Sequence, residues 1–375
     1  MNEDKATRYN RLKRRIGIIS VAWSVVFLLA MVVSGGSIAL RDGAAATATA
    51  IFPAAITRSA TVVVYVLLFT LLNEAGSLPL AFYGGFVLER RYGLSRQPIG
   101  AWLVDQLKSL GLGLLLGSAA AVILYALIAR FPFGWWLPAA AVFALLIVGL
   151  ANIAPLLLLP LFYSVKPLNR ETLRARLVAL GERAGARVVD AYEWGLGEKT
   201  SKANAALTGI GGSRRILVSD TMLAEYSDDE IEVVLAHELA HHVHGDLWKG
   251  LVFETVLILA GFFAASWLLR LAVPLARLGS TADIAGLPLL LLAAGAVSLV
   301  ALPAAHAMSR AHERSADRFA LKLTGNGAAF ISAMRRLAAQ NLAEEEPSEV
   351  VQWLFYSHPP IRERIAAAQS YLRSS

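Results

Sequence analysis

A chain of 375 residues that is 56% hydrophobic and only 17% charged is too apolar for an ordinary soluble domain, which runs at about 45–50% apolar and about 25% charged. It has no cysteine, which excludes disulfides and thiolate ligands and leaves histidine and carboxylate to build any transition-metal site. The net charge of +7 accompanies no nucleic-acid motif; in a membrane protein Lys and Arg mark the cytoplasmic face and meet anionic lipid, so nucleic acid is set aside as a partner.

The apolar excess lies in long uncharged runs, and crossing the hydrocarbon takes about 20 such residues. The first run, residues 16–40, follows the basic segment MNEDKATRYNRLKRR. It is too long for the apolar core of a signal peptide and is read as a retained first span. An Ala/Thr-rich tract, GAAATATA, comes after it. The second span lies within residues 59–88, interrupted by Asn73 and Glu74, and the third covers residues 109–129. The fourth lies in residues 131–165, a run of 35 without a charge. That exceeds one straight crossing, so the helix tilts, breaks at Pro155 or Pro160, or runs on past the bilayer. The fifth span is residues 247–269, with Lys249 and Glu254 near its start, and the sixth is residues 284–309. A carboxylate in a membrane is costly and often functional; Glu74 is the candidate for a polar pathway, and Glu254 suits the interface.

Six crossings put both termini and the loop 166–246 on one side. That side carries Lys5, Arg8, Arg11, Lys13, Arg14 and Arg15, then Arg90, Arg91, Arg96 and Lys108. The opposite connections hold few basic residues: Arg41, Arg58, Arg130, Arg270 and Arg277. The positive-inside rule therefore predicts a cytoplasmic loop and cytoplasmic termini. The Arg- and Ala-rich style of the chain points to a bacterial inner membrane.

The loop has the grammar of a soluble domain. LNRETLRARLVALGERAG has helical spacing with a Gly stop. RVVDAYEW, ANAALTGI and RRILVSD read as short strands, the last two joined by GGS as a hairpin. Ser227 and Glu230 have capping-box spacing and open a helix that runs through VLAHELAHHVHGD, which holds four of the seven histidines. His237 and His241 form HExxH with Glu238 between them. Residues four apart share a helical face, so both imidazoles reach one ion while Glu238 reaches a water on it. This is the pattern of a zinc hydrolase, with two His ligands and a Glu general base.

Catalytic zinc needs a third protein ligand and an open position. The sixth span runs into SRAHERSADRFAL, where Glu313 and Asp317 are again four apart, the ExxxD pattern of the second helix in thermolysin-like proteases. Glu313 completes a His-His-Glu set. Asp317 accepts a hydrogen bond from a ligand imidazole, His237 in preference to His241. Taken alone, this acidic pair reads as a solvated face pairing with Arg310, Arg314 and Arg318; HExxH upstream reverses that. His242, His244, His306 and His312 are read as supporting or interfacial polar groups.

HELAHH, SRAHERSADRFAL and YSHPPIRERI, in that order, with LPLAFYGGFVLERRYGLSRQ at residues 78–97, resemble the type 1 CAAX prenyl proteases, or a-factor-converting enzymes. The related HtpX proteases share the zinc motifs and lack the block at 78–97. The resemblance implies a mainly α-helical polytopic membrane protein with a small α+β zincin-like catalytic domain. Four spans occupy residues 1–165, the catalytic domain residues 166–246 and 310–375, and two further spans residues 247–309. It implies one zinc per chain on His237, His241 and Glu313, with Glu238 as base and His358 of SHPP stabilising the oxyanion. NAALTG matches the edge strand that holds substrate, Asn204 being the side-chain contact, and Arg364 falls near the substrate. The implied activity is peptide-bond hydrolysis in a peptide or membrane protein at the cytoplasmic end of a chamber enclosed by the spans. Four features depart from the family. Six spans replace the seven of eukaryotic members. Asp246 stands where many members have His. NAALTG lacks the usual aromatic, and nothing in the chain marks a prenyl pocket. The alternative class is a membrane scaffold or transporter with a structural or degenerate metal site.

Overall fold

The computed structural model describes residues 4–209 and 214–374. Among these, six helices are long and apolar enough to cross a membrane: Lys5–Val33, Thr57–Arg91, Ile99–Arg130, Trp136–Ala154, Asp246–Leu275 and Ile284–Thr324. Leu115, Leu145, Val256 and Val300 are exposed on them. A surface of that kind is stable in hydrocarbon and a liability in water. The spans pack closely where small residues allow it. A Cβ at Gly76 would lie 1.9 Å from the Trp23 ring, so the contact between first and second spans requires glycine there.

The number of spans agrees with the sequence reading, and their ends differ from it. The first span stops at Val33 rather than residue 40, because Gly35 takes φ 73°. The Ala/Thr tract then forms a further helix, Gly36–Ile51, as the high helix propensity of alanine favours. At 1.5 Å per residue it is about 24 Å long, short of the roughly 30 Å of hydrocarbon. Ser37 on this helix donates to the Ala285 carbonyl (2.6 Å), and Arg41 pairs with Asp283. Of the alternatives open to the fourth apolar run, it breaks: one helix covers Trp136–Leu157 and a short turn covers Leu159–Phe162, with Pro160 in its opening residues. The run's last residue, assigned to the span, instead starts a strand, β1 (Val165–Pro167).

Strands β2 (Val188–Trp194), β3 (Ala205–Thr208) and β4 (Arg214–Ser219) complete a sheet of order β1-β2-β4-β3. β2 and β4 run parallel, while β3 pairs antiparallel with β4, Ala205 opposite Val218 and Thr208 opposite Arg215. The GGS turn expected between β3 and β4 lies outside the described residues. Helix Glu171–Arg183 packs Leu173, Leu177 and Leu180 into the core beneath the sheet. The same core takes Ile231, Leu235 and Leu239 from the HExxH helix, Ala320 and Leu321 from the sixth span's extension, and Phe330 and Met334 from helix Gly327–Asn341.

The N-terminal end of the first span abuts this domain. Arg14 donates to Glu344 (2.5 Å) and to the Tyr356 hydroxyl (2.9 Å). The catalytic domain and the start of the chain therefore share one end of the bundle, and the Arg41–Asp283 pair lies at the other.

Candidate active site

Two helices build the site. The first, Asp228–Val243, opens with the expected capping box: Ser227 accepts from the Glu230 N–H while Glu230 accepts from the Ser227 N–H. It is buried on nearly every side. Ile231, Leu235 and Leu239 form one stripe into the core. His237 and His241, offset from that stripe by two residues, point about 200° round the helix at 100° per residue. The second helix, Leu287–Thr324, is one continuous rod of 38 residues, so the sixth span and the ExxxD motif are a single element.

The rod brings Glu313 to the two histidines. Ligand atoms of His237, His241 and Glu313 all lie within 4.8 Å of one another. Nε2 of His241 is 3.3 Å from Nε2 of His237, and Glu313 oxygens lie 3.3 Å from His237 Nε2 and 3.4 Å from His241 Nε2. Glu313 Oε2 is buried and makes no well-directed hydrogen bond, His237 Nε2 lying 3.3 Å and Arg364 Nη2 3.8 Å from it, a costly state for a carboxylate oxygen unless a cation takes it up. Burial alone would pull the His237 imidazole down, but Asp317 and Glu313 outweigh it and hold it up at about 9. A divalent ion among the three groups would take the place of those protons. These residues fit a metal.

The outward nitrogens are fixed. His237 Nδ1 donates to Asp317 Oδ1 (2.8 Å), the partner expected from the sequence. His241 Nδ1 donates to Asp246 Oδ2 (3.0 Å), a contact the sequence reading missed. Gly245, at φ 66°, turns the chain between the HExxH helix and the fifth span, which starts at Asp246. Asp246 also accepts from Lys249 (2.9 Å) and lies 3.6 Å from His312 Nε2. Each imidazole thus has a carboxylate that sets its tautomer and leaves Nε2 turned toward Glu313, where a metal would be held. The signal available in sequence was an acidic residue five positions past the second histidine.

Arg364 lies in this same layer. It donates from Nε and Nη2 to both oxygens of Asp317 (2.8 and 2.6 Å), and Nη2 is 3.8 Å from Glu313. Both residues are buried. Breaking such a pair from one side costs about 3–5 kcal/mol, which commits Arg364 to Asp317 here. Glu238 lies close enough to His237, His241, Glu313 and Arg364 to feel their charges, and burial raises its carboxyl above the ordinary value. His358 reaches the cluster from the C-terminal loop, Nε2 3.4 Å from Glu313 Oε1, with Ser357 Oγ 2.9 Å from Nδ1. Its side chain is 61% exposed, so it faces open space beside the ligands. Asn204 is exposed at the start of β3, an edge strand that packs against the HExxH helix. His244 stands against Phe319 and Ser315, away from the ligands. His306 Nδ1 is buried without a partner.

A pair of helices bearing HExxH and ExxxD, set on a small sheet and continuous with membrane-length helices, defines a membrane-embedded metalloprotease. Comparison with known proteins identifies its kind. A family model described as peptidase family M48 matches residues 167–372, and one for the CAAX prenyl protease N-terminal region, with five membrane helices, matches residues 2–164. The chain belongs to peptidase family M48. It is 32% identical over 309 residues to the Bacillus subtilis (strain 168) protein described as the uncharacterized metalloprotease YhfN, covering 81% of this chain and 72% of that one. It is 28% identical over 317 residues to CAAX prenyl protease 1 of Saccharomyces cerevisiae, covering 79% and 69%. The crystal structure of S. mikatae Ste24p superposes with a TM-score of 0.85 over 97% of this chain and 87% of that one, at 23% identity, which establishes the shared fold. Among the described residues of the stretch matched by the five-helix model there are four membrane-length helices and the shorter Gly36–Ile51.

Proposed function

We propose that this metalloprotease is a zinc endopeptidase cleaving peptides or membrane proteins at the cytoplasmic face of a bacterial plasma membrane, with Glu238 as general base. The observation that carries the reading is the convergence of His237, His241 and Glu313, one Glu313 oxygen without a well-directed hydrogen bond, beside a partly buried Glu238. A structural site would close with a fourth protein ligand. Among the described residues the group holds three, and the nearby carboxylates of Asp246 and Asp317 are engaged on the far side of the imidazoles. That argues against a scaffold or transporter.

Zinc held there supplies Lewis acidity, acidifying water and polarising a peptide carbonyl. Glu238 takes the proton of the attacking water and later delivers it to the leaving amine. The raised affinity of its carboxyl for a proton suits it to both steps. His358 Nε2 donates to the oxyanion as charge develops on the carbonyl. The substrate adds as a strand along the open edge of β3, its backbone pairing with β3 and Asn204 contacting it at the strand's start. Arg364 acts on the substrate side only through Asp317 and His237, which it holds in place. The CAAX specificity named for the yeast relative is not extended to this chain, whose sequence marks no prenyl pocket.

The test is cleavage of unfolded casein by the purified protein in detergent, with metal analysis. Activity should vanish on chelation and return with one equivalent of zinc; a zinc-loaded protein that leaves casein intact would defeat the reading. His358→Ala should lower kcat about 10²–10³-fold with little change in KM, because the interaction strengthens only in the transition state. A near wild-type rate in that folded, metal-loaded variant removes His358 from the chemistry. The cytoplasmic orientation rests on the Lys/Arg bias of the connections. The chain has no cysteine, so Glu171→Cys, at a side chain 86% exposed in the 166–246 loop, reports alone: it should resist an impermeant thiol reagent applied to intact cells and react once the cells are opened, and labelling in intact cells would invert the orientation.

A further inference from the structure

The block at residues 78–97 takes no part in the chemistry above, yet it is bonded both to the first span and to the catalytic domain. The second span passes Pro79, widens into a π-helical turn at Tyr83–Val87 and ends at Arg91. Such turns shift the register of a helix and often occur at functional positions. Here the turn is followed by two buried residues, Leu88 and Glu89. Leu88 packs with Tyr9, Tyr92 and Leu94. Glu89 accepts from the Tyr9 hydroxyl (2.6 Å) and from Lys202 Nζ (3.0 Å), and it pairs with Lys13.

Lys202 is two residues before Asn204. The whole segment leading to β3 is stitched to the same block. Thr200 Oγ1 and the Ser201 N–H both donate to the Leu94 carbonyl (2.7 and 3.1 Å), and Ser95 Oγ donates to the Lys199 carbonyl (3.1 Å). Lys199 Nζ donates to Asp105 (2.5 Å) on the third span. Past Lys202, its own carbonyl accepts from Thr221 (2.7 Å) and the Ala203 N–H donates to Asn341 (3.1 Å). These bonds stop where the open edge of β3 begins. β3 has only four residues and one neighbouring strand. Ser219 at the end of β4 holds Asn204, its Oγ accepting from the Asn204 N–H and its N–H donating to the Asn204 carbonyl (both 2.9 Å), and the segment just before is tied to the membrane block, so the start of β3 is clamped from both sides.

We infer that Glu89 is a positioning residue for substrate binding: through Lys202 it holds the start of β3 in the place where a substrate strand pairs. The inference rests on the reading of β3 as the strand that takes substrate. A tie that merely fastened the membrane region to the catalytic domain would change the yield of folded protein and leave KM of the folded fraction alone. A positioning tie changes substrate binding in molecules that are folded and metal-loaded.

The experiment uses the full chain in detergent and an internally quenched unstructured peptide, with rates normalised to bound metal. Glu89→Gln keeps the shape and an acceptor for Tyr9 and loses the charge that holds Lys202. It should raise KM about tenfold with kcat unchanged, as loss of a charge-assisted contact that acts on binding requires. Lys202→Gln, on the more accessible partner, should do the same and carries the test if Glu89→Gln does not fold. The double variant should be no worse than the poorer single, since the two act as a unit. Unchanged KM in both singles, or effects that multiply, overturns the inference. Asn204→Ala separates the two readings. If it leaves KM unaltered, the assignment of β3 to substrate fails. If it raises KM while Glu89→Gln and Lys202→Gln do not, only the role of Glu89 fails.

Discussion

Glu238→Gln should retain one metal per chain and lose about 10²–10⁴-fold in kcat, the range that a positioned acid–base group contributes. The amide has the size and shape of the carboxylate but cannot take a proton from water at neutral pH. The ligand set is untouched, because His237, His241 and Glu313 converge without Glu238. Folding should not suffer either. Burial already disfavours the Glu238 anion, so a neutral side chain relieves a cost instead of adding one. Metal content of the purified variant and its rate on casein are the two measurements. Near wild-type cleavage would remove Glu238 as the base, and loss of the metal would make it a ligand.

What the sequence made legible at this site is local. HExxH and ExxxD each place two groups four apart on a helix, and a helix turns that spacing into one face wherever it sits. The number of spans was legible for the same reason, since a long apolar run needs no distant partner to be recognised. The ends of the spans were not. Helical hydrogen bonding continues past the apolar residues, so the sixth span and the charged stretch through Lys322 form one rod, and composition alone draws a boundary the backbone does not have. Gly36–Ile51 was hidden as a low-complexity tract although alanine favours helix. β1 was hidden in the tail of an apolar run because its identity comes from pairing with β2.

The outer partners were the least legible. Asp317 could be named because it shares a helix with Glu313. Asp246 reaches His241 only because Gly245 breaks the helix and turns the next residue back. Arg364 meets Asp317 across 47 positions of chain, and Glu89 meets Lys202 across 113. Such pairings exist only after the elements have packed, and no periodicity announces them. Arg364 was expected near substrate; its bidentate hold on Asp317 places it one layer behind the ligands.

Glu313→Gln should do the reverse of Glu238→Gln and largely empty the site. The variant keeps the size of the side chain and removes its charge. Two unit charges 4 Å apart at an effective dielectric near 20 attract by about 4 kcal/mol, and a divalent ion roughly doubles that. Losing the one anionic ligand therefore removes several decades of affinity, at about 1.4 kcal/mol per decade. Asp317→Asn and Asp246→Asn are the controls. Each only loosens an imidazole that remains a ligand, and each should weaken metal binding by about 10–100-fold. Under a mild chelator the order of occupancy should run from wild type and Glu238→Gln at the top, through the two Asp variants, to Glu313→Gln at the bottom. Turnover should follow occupancy in every case except Glu238→Gln, which holds metal and does not turn over. The imidazoles should persist in the folded protein, since Asp317 and Asp246 still hold their Nδ1 atoms, so excess zinc should restore part of the occupancy. Full zinc in Glu313→Gln under mild chelation would show that the third ligand is another residue, and the orphaned Glu313 oxygen would then need a different partner.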